Sequence, residues 1–243
     1  MTATSTDTPQ AAPSLAPLVA LLATDMEQVN ARIIARMSSD VPLVPELAGH
    51  LIAAGGKRLR PLLTLAGAGI AGGSPHAIGL ATAVEFIHSA TLLHDDVIDE
   101  SKLRRGRDTA NALWGNDASV LVGDFLFARA FELMVETGNL SVLRQLSHAS
   151  AQITEGEIKQ MTIAGAPGTP AEDYLDVIRN KTAILFAAAA ASGAEVAGAS
   201  TAIKEATHEY GLKLGMAFQI MDDAMDYSLS YDDMGKQSGD DFL

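Results

Sequence analysis

The chain contains no cysteine, and aromatic residues make up only 5% of its 243 positions. The first absence removes disulfides, thiolate nucleophiles and cysteine-ligated zinc, so any bound metal must be held by oxygen or imidazole. Basic residues are scarce as well: 17 Lys and Arg stand against 30 Asp and Glu, a formal charge of −13. That balance excludes nucleic acid as the principal partner, because duplex binding rests on neutralising phosphates with Lys and Arg. Long hydrophobic runs are missing too. The longest, residues 183–191, falls short of the roughly 20 residues of a membrane-spanning helix, and no transmembrane segment is expected. The opening MTATSTDTPQAAPS has neither a basic n-region nor an apolar h-region. It reads as a disordered lead over residues 1–14 rather than a secretory signal, and a cytoplasmic location is expected.

What is present is a large apolar fraction, 48%, with 19% charged residues, enough to bury a real core. Ala, Leu, Ile and Met dominate, and no segment alternates apolar and polar residues as a half-buried strand requires. The pattern predicts an all-α protein, with helices over 15–38, 45–54, 61–71, 75–99, 111–136, 140–163, 170–196 and 201–229. Breaks fall at clusters of Gly, Pro and Asn such as Gly72-Gly73-Ser74 and Gly138-Asn139. Residues 15–243 form one domain. Stretches apolar around most of the helix, such as 78–93 and 183–196, must be buried on several sides.

Two acidic clusters interrupt this apolar background. HDDVIDE ends a helix with Asp95, Asp96 and Asp99, and FQIMDDAMD repeats the spacing at Asp222, Asp223 and Asp226. Residues four apart share a helix face, so each cluster crowds carboxylates within about one turn. Crowded carboxylates repel unless cations neutralise them, and oxygen ligands suit Mg2+, which shares carboxylates with substrate phosphates. Facing each other, six carboxylates would form a cage for metal ions around a diphosphate.

The few basic residues are grouped. GGKRLRP places Lys57, Arg58 and Arg60 in a glycine-led loop that runs into a helix opened by Pro61, and LRRGR places Arg104, Arg105 and Arg107 just after the first acidic cluster. Glycines let backbone approach an anion, a helix N-terminus favours it, and Arg offers a bidentate fork for phosphate. Lys181 and Thr182 precede an apolar stretch, and Lys236 follows the second cluster.

In this order GGKRLRP, DDVID with RRG behind it, the Lys181-Thr182 pair and FQIMDDAMD with Gly235-Lys236 resemble the trans-isoprenyl diphosphate synthases, or polyprenyl synthetases, over residues from about Leu18 to the end. The resemblance implies an all-α bundle around a deep central cavity. It also implies metal binding by Asp95, Asp99 and Asp222, with Asp96, Asp223 and Asp226 assisting and three Mg2+ present when substrate is bound. Arg104, Lys181, Thr182, Gln219 and Lys236 would then bind an allylic diphosphate, and Lys57, Arg60, His88 and Arg105 isopentenyl diphosphate. Lys181 counts among the catalytic residues with the six aspartates, and the Lys181-Thr182 backbone and Gln219 would supply dipoles near a carbocation. The family continues past GKxxGxD into further helices, so this sequence is expected to lack the family's C-terminal part. Its members commonly pair as homodimers, and the 111–136 helix, with Leu121, Phe125, Phe127 and Phe131, offers a face for that.

The implied reaction is head-to-tail condensation of the two substrates. Product length follows from the helix before the first cluster. Thr91 lies one turn ahead of Asp95 with Ala90 beside it; both are small, which leaves the path of the growing tail open, and Phe86 and Ile87 lie one turn deeper. Small residues on neighbouring helices, Ala128, Ala130, Ala149, Ala151 and Gly156, would give that tail room. Each turn advances 5.4 Å, comparable with one isoprene unit, so a long product of about C35–C50 for quinone side chains is expected. Geranylgeranyl or farnesyl diphosphate synthesis is the alternative within the same chemistry. A noncatalytic partner subunit is the alternative of another class, although such a subunit is expected to lose aspartates that are all present here.

Overall fold

The computed structural model describes residues 14–53, 55–163 and 168–228. The expected lead (residues 1–13 of it) and Gly235-Lys236 lie outside the described residues. Eleven α-helices are present among those described: α1 (Ala16–Leu21), α2 (Ala23–Arg36), α3 (Leu43–Ala53), α4 (Leu59–Ile70), α5 (Ala77–Ile98), α6 (Ala110–Trp114), α7 (Asn116–Glu136), α8 (Leu140–Ile163), α9 (Ala171–Ile178), α10 (Ile184–Val196) and α11 (Thr201–Ser228). The all-α expectation holds, with four local corrections.

The first predicted helix is interrupted at Leu22, and the 111–136 helix is broken at Gly115, whose φ of 85° no helix accommodates. The 170–196 helix is interrupted by a π-turn, Arg179–Ala183, where the backbone takes one wider turn. A two-stranded hairpin, β1 (Leu103–Arg104) and β2 (Arg107–Asp108), stands between α5 and α6. Its central residues Arg105 and Gly106 both have positive φ, 53° and 74°, the twist that two-residue hairpins favour. Without apolar alternation, a hairpin this short left no strand signal.

α5 and α10 form the centre. α5 packs against α2, α4, α7 and α10, and α10 against α4, α8 and α11. Leu80, Val84, Phe86, Ile87, Ala90 and Leu93 of α5 are buried together with Phe186 and the alanines 187–191 of α10. By length and composition α5 is the one described helix apolar enough to cross a membrane, yet two thirds of its apolar window, 67%, is buried inside the fold. It serves here as a core helix.

The alanine-rich α10 lets backbones touch. A Cβ at Gly193 would lie 2.0 Å from the Thr64 carbonyl oxygen, and one at Gly67 would lie 2.2 Å from that of Ala190, so α4 and α10 cross with only hydrogen atoms between them. Gly193→Ala must push the helices apart and is expected to cost about 2–3 kcal/mol. Thermal unfolding measures it, and a melting temperature equal to that of the parent chain would contradict the crossing.

At the turns, side chains and glycines satisfy the helix ends. Asn139 Oδ1 accepts from the N–H groups of Ser141 and Val142 at the start of α8, at 2.8 and 3.3 Å. Gly73, at φ 86°, donates its N–H to the Ala68 carbonyl at 2.8 Å beyond the end of α4.

Candidate active site

The first acidic cluster ends α5, where the carboxylates meet the negative end of the helix dipole. Local bonding holds them there. The Ser101 N–H and the Asn111 side-chain amide both donate to the Asp96 carbonyl, at 3.0 Å each, and Asn111 also reaches the Ser101 carbonyl at 3.1 Å. These bonds fold the chain back and aim the hairpin at the helix end. Asp96, only 2% exposed, receives a forked contact from Arg104, whose Nε and Nη2 lie 2.9 and 2.6 Å from Oδ1. Arg104 is therefore engaged by the first cluster itself.

Asp95 is half-buried and Asp99 exposed. Burial, followed by the nearby Glu157 and Asp99 charges, pushes the Asp95 carboxyl up to about 7, against the pull of Lys181 and Arg104. Lys181 Nζ lies 2.9 Å from Glu157. Burial disfavours the Lys181 charge, but Glu157, Asp95 and Asp99 outweigh it and raise its pKa. A carboxyl pushed up chiefly by burial, with Glu157 and Asp99 adding to it, gains by binding a divalent cation, and the donors are hard oxygens. That donor chemistry is the kind Mg2+ takes, while among the described residues no three such side chains converge as a ready-made metal site.

The second cluster lies near the end of α11. Asp222 is exposed, whereas Asp223 and Asp226 are buried at 8% and 1%. Asp223 accepts from the Tyr174 hydroxyl at 2.5 Å and from the Gln219 amide at 2.8 Å, and Gln219 accepts from Thr182 at 2.8 Å. Lys181 and Thr182 both sit in the π-turn.

The basic loop converges on the same region. α4 begins at Leu59, two residues ahead of Pro61, and is preceded by Arg58 with a left-handed φ of 48°. Arg58 is ion-paired with buried Glu85 of α5. Burial raises the Glu85 pKa, countered by Arg58. Arg60 stacks 4.4 Å above the Phe186 ring and donates to His88 Nε2 at 3.2 Å. Burial lowers its pKa to about 10 against the pull of Glu85, so it stays charged. Since Arg can only donate, His88 Nε2 accepts and Nδ1 carries the hydrogen. Burial, then the Arg60, Arg104 and Arg105 charges, hold His88 well below its usual pKa, and it is neutral. Lys57 is exposed, 6.0 Å from the Phe218 ring centre. Arg105 donates to the Gly55 carbonyl; burial and then Arg104 lower its pKa, while Glu85 and Asp222 act against them.

Thr91 is half-buried and bonds the His88 carbonyl at 2.8 Å. Ala90, Phe86 and Ile87 are buried core residues at 0%, 1% and 0% exposure. Ala130, Ala149 and Gly156 are buried on α7 and α8, whereas Ala128 and Ala151 are exposed on this chain. Helix periodicity places them on the outer faces.

The scan against family models matches the polyprenyl synthetase model over residues 41–243. The chain belongs to the polyprenyl synthetase family. It is 47% identical over 218 residues to the octaprenyl diphosphate synthase of Haemophilus influenzae, covering 89% of this chain and 66% of that protein. Among solved structures, a polyprenyl synthase from Caulobacter crescentus complexed with calcium and isoprenyl diphosphate has a TM-score of 0.92 at 54% identity, covering 96% of this chain and 72% of that one. A decaprenyl diphosphate synthase from Rhodobacter capsulatus gives 0.89 at 54% identity, covering 94% and 71%. This polyprenyl synthetase chain thus spans about two thirds of the length of its relatives. Glu85, Glu157 and Tyr174 join its site without having been singled out by motif. Glu85 was the most legible of them, a lone charge on the apolar turns of α5, three residues before His88.

Proposed function

We propose that the chain catalyses Mg2+-dependent, head-to-tail condensation of isopentenyl diphosphate onto an allylic diphosphate, building an all-trans product of about C35–C50. The observation that carries the reading is the hairpin. Its Arg104 is bonded to Asp96 and its neighbour Arg105 to the Gly55 carbonyl, so one turn joins the acidic helix end to the basic loop. Two anionic substrates need both kinds of surface side by side.

Asp95, Asp99 and Asp222 would hold the metal, with Asp96, Asp223 and Asp226 supporting them. Bound Mg2+ supplies the charge that stabilises departing pyrophosphate as the allylic carbon–oxygen bond breaks. Arg104, Lys181 and Lys236 add fixed positive charge around the same diphosphate. Lys57, Arg60, Arg105 and the neutral His88 orient isopentenyl diphosphate so that its alkene attacks the cation. The proton then lost passes to pyrophosphate, and no protein nucleophile is required. Ala90 and Thr91 favour a long product, as do the octaprenyl and decaprenyl relatives; such a tail suits quinone side chains.

The same reading has the enzyme act in the cytoplasm as a homodimer. Exposed Leu121, Phe131 and Val135 on α7, at 66%, 38% and 62%, support that pairing. Incubation with farnesyl diphosphate, isopentenyl diphosphate and Mg2+, followed by mass spectrometry, is expected to give a ladder ending at about C35–C50. Products ending at geranylgeranyl length would refute the long-chain assignment. An absence of product would refute catalysis by this chain.

A further inference from the structure

Thr182, Gln219, Asp223 and Tyr174 form an unbroken file of hydrogen bonds from the π-turn through α11 to α9. A carboxylate only accepts, and this fixes the protons. Gln219 must turn its NH2 to Asp223, which leaves its carbonyl to receive the Thr182 hydroxyl. Every donor therefore runs toward Asp223. The charge of this nearly buried carboxylate polarises Gln219 and, through it, enriches the Thr182 oxygen in electron density.

The π-turn sets the register for this file. Eight residues separate Tyr174 from Thr182, and in a regular α-helix they would be turned about 80° apart. One wider turn between them absorbs a residue and returns both to one face, toward Gln219 and Asp223, themselves a single turn apart on α11. The length of the tyrosine spans the difference. Glycines fix the turn from two sides: a Cβ at Gly156 would lie 2.8 Å from the Lys181 nitrogen, and one at Gly215 would lie 2.5 Å from Ala183 Cα.

The geometry points to Tyr174 as a positioning residue, which clamps Asp223 so that its charge is relayed through Gln219 to the Thr182 oxygen, where positive charge develops on the allylic carbon. The inference rests on the prenyl-transfer reading and deepens it. Without the tyrosine hydroxyl, Asp223 loses one of its two fixed partners and turns away from Gln219. The relay acts on the cation and not on the ground state, so it belongs in kcat rather than in KM.

The test compares Tyr174→Phe, Thr182→Val and the double variant with the parent chain. Calorimetry with Mn2+ and inorganic pyrophosphate reads the diphosphate site, and an allylic ammonium added to that complex reads the cation site. The expected result is that each single variant weakens ammonium binding about three- to tenfold, the net worth of one ordinary hydrogen bond. In Tyr174→Phe, pyrophosphate affinity and both KM values stay within about twofold, and the double variant is no worse than the weaker-binding single. Unchanged or tighter ammonium binding in Tyr174→Phe, or single effects that multiply, would overturn the relay. If Tyr174→Phe does not fold, Asp223→Asn in the same cycle with Thr182→Val gives the coupling on ammonium binding alone, its pyrophosphate affinity falling because Asp223 also supports the metal. A parent chain that binds pyrophosphate and ammonium alongside unaffected variants defeats the relay alone. A parent chain that binds neither defeats the prenyl-transfer reading, and the relay with it.

Discussion

Asp95→Asn is expected to lower the condensation rate by about two to three orders of magnitude while making the metal-free protein more stable near neutral pH. The two effects share a cause. Asp95 is half-buried at the end of α5, with Glu157 and Asp99 as its charged neighbours and Lys181 already paired to Glu157. Such a site favours a divalent cation and penalises a bare carboxylate. Losing the carboxylate removes an oxygen anion where the diphosphate's counter-charge is to be held, and asparagine offers only a neutral carbonyl in its place.

The sign of the stability effect follows from linkage. The Asp95 carboxyl titrates near 3.8 in the unfolded chain and at about 7 in the folded one. Between those values the folded state keeps a proton that the unfolded state has lost, so rising pH favours unfolding. Stability declines across that window and levels off above it. Melting temperatures measured in chelator from about pH 4 to pH 8 should fall for the parent chain and fall less for Asp95→Asn. Mg2+ with pyrophosphate should remove most of the difference by stabilising the ionised carboxylate. Equal slopes for the two proteins in chelator would show that the charge at Asp95 is not the one being penalised.

Much of the molecule is legible in its sequence, for identifiable reasons. Long apolar helices advertise themselves by period and punctuation, and the two aspartate clusters stand out because carboxylates are costly on apolar helices. Less visible were features that depend on a single backbone choice. The left-handed Arg105 and Gly106 make a hairpin of six residues, and the π-turn interrupts a sequence whose propensity is helical on both sides. Side-chain alliances across the fold were also hidden: Arg58 with Glu85, Lys181 with Glu157 and Tyr174 with Asp223 join residues 27, 24 and 49 positions apart. No local pattern encodes such pairs. Arg104 shows the consequence. Its place in LRRGR suggested a phosphate ligand, yet in the fold it also neutralises Asp96.

Thr91→Phe is expected to shorten the product from about C35–C50 to farnesyl or geranylgeranyl length. Thr91 lies one helical turn, 5.4 Å, before Asp95, on the side where the tail must begin if Asp95 holds the metal that grips its diphosphate. It is half-buried, so a larger side chain has somewhere to project. Ala90 behaves differently. Fully buried among Phe86, Ile87 and Leu93, it has no space for an aromatic ring, and Ala90→Phe is expected to cost about 1–3 kcal/mol through overpacking. Its effect on product length would be mixed with damage to the core. Thr91→Phe loses one hydrogen bond, to the His88 carbonyl, worth about 1 kcal/mol, and leaves the α5 core untouched. A melting temperature near that of the parent together with a truncated ladder would locate the tunnel beside α5. An unchanged ladder from a well-folded Thr91→Phe protein would mean that the tail leaves along another face, and then the smallness of Ala90 and Thr91 would say nothing about product length.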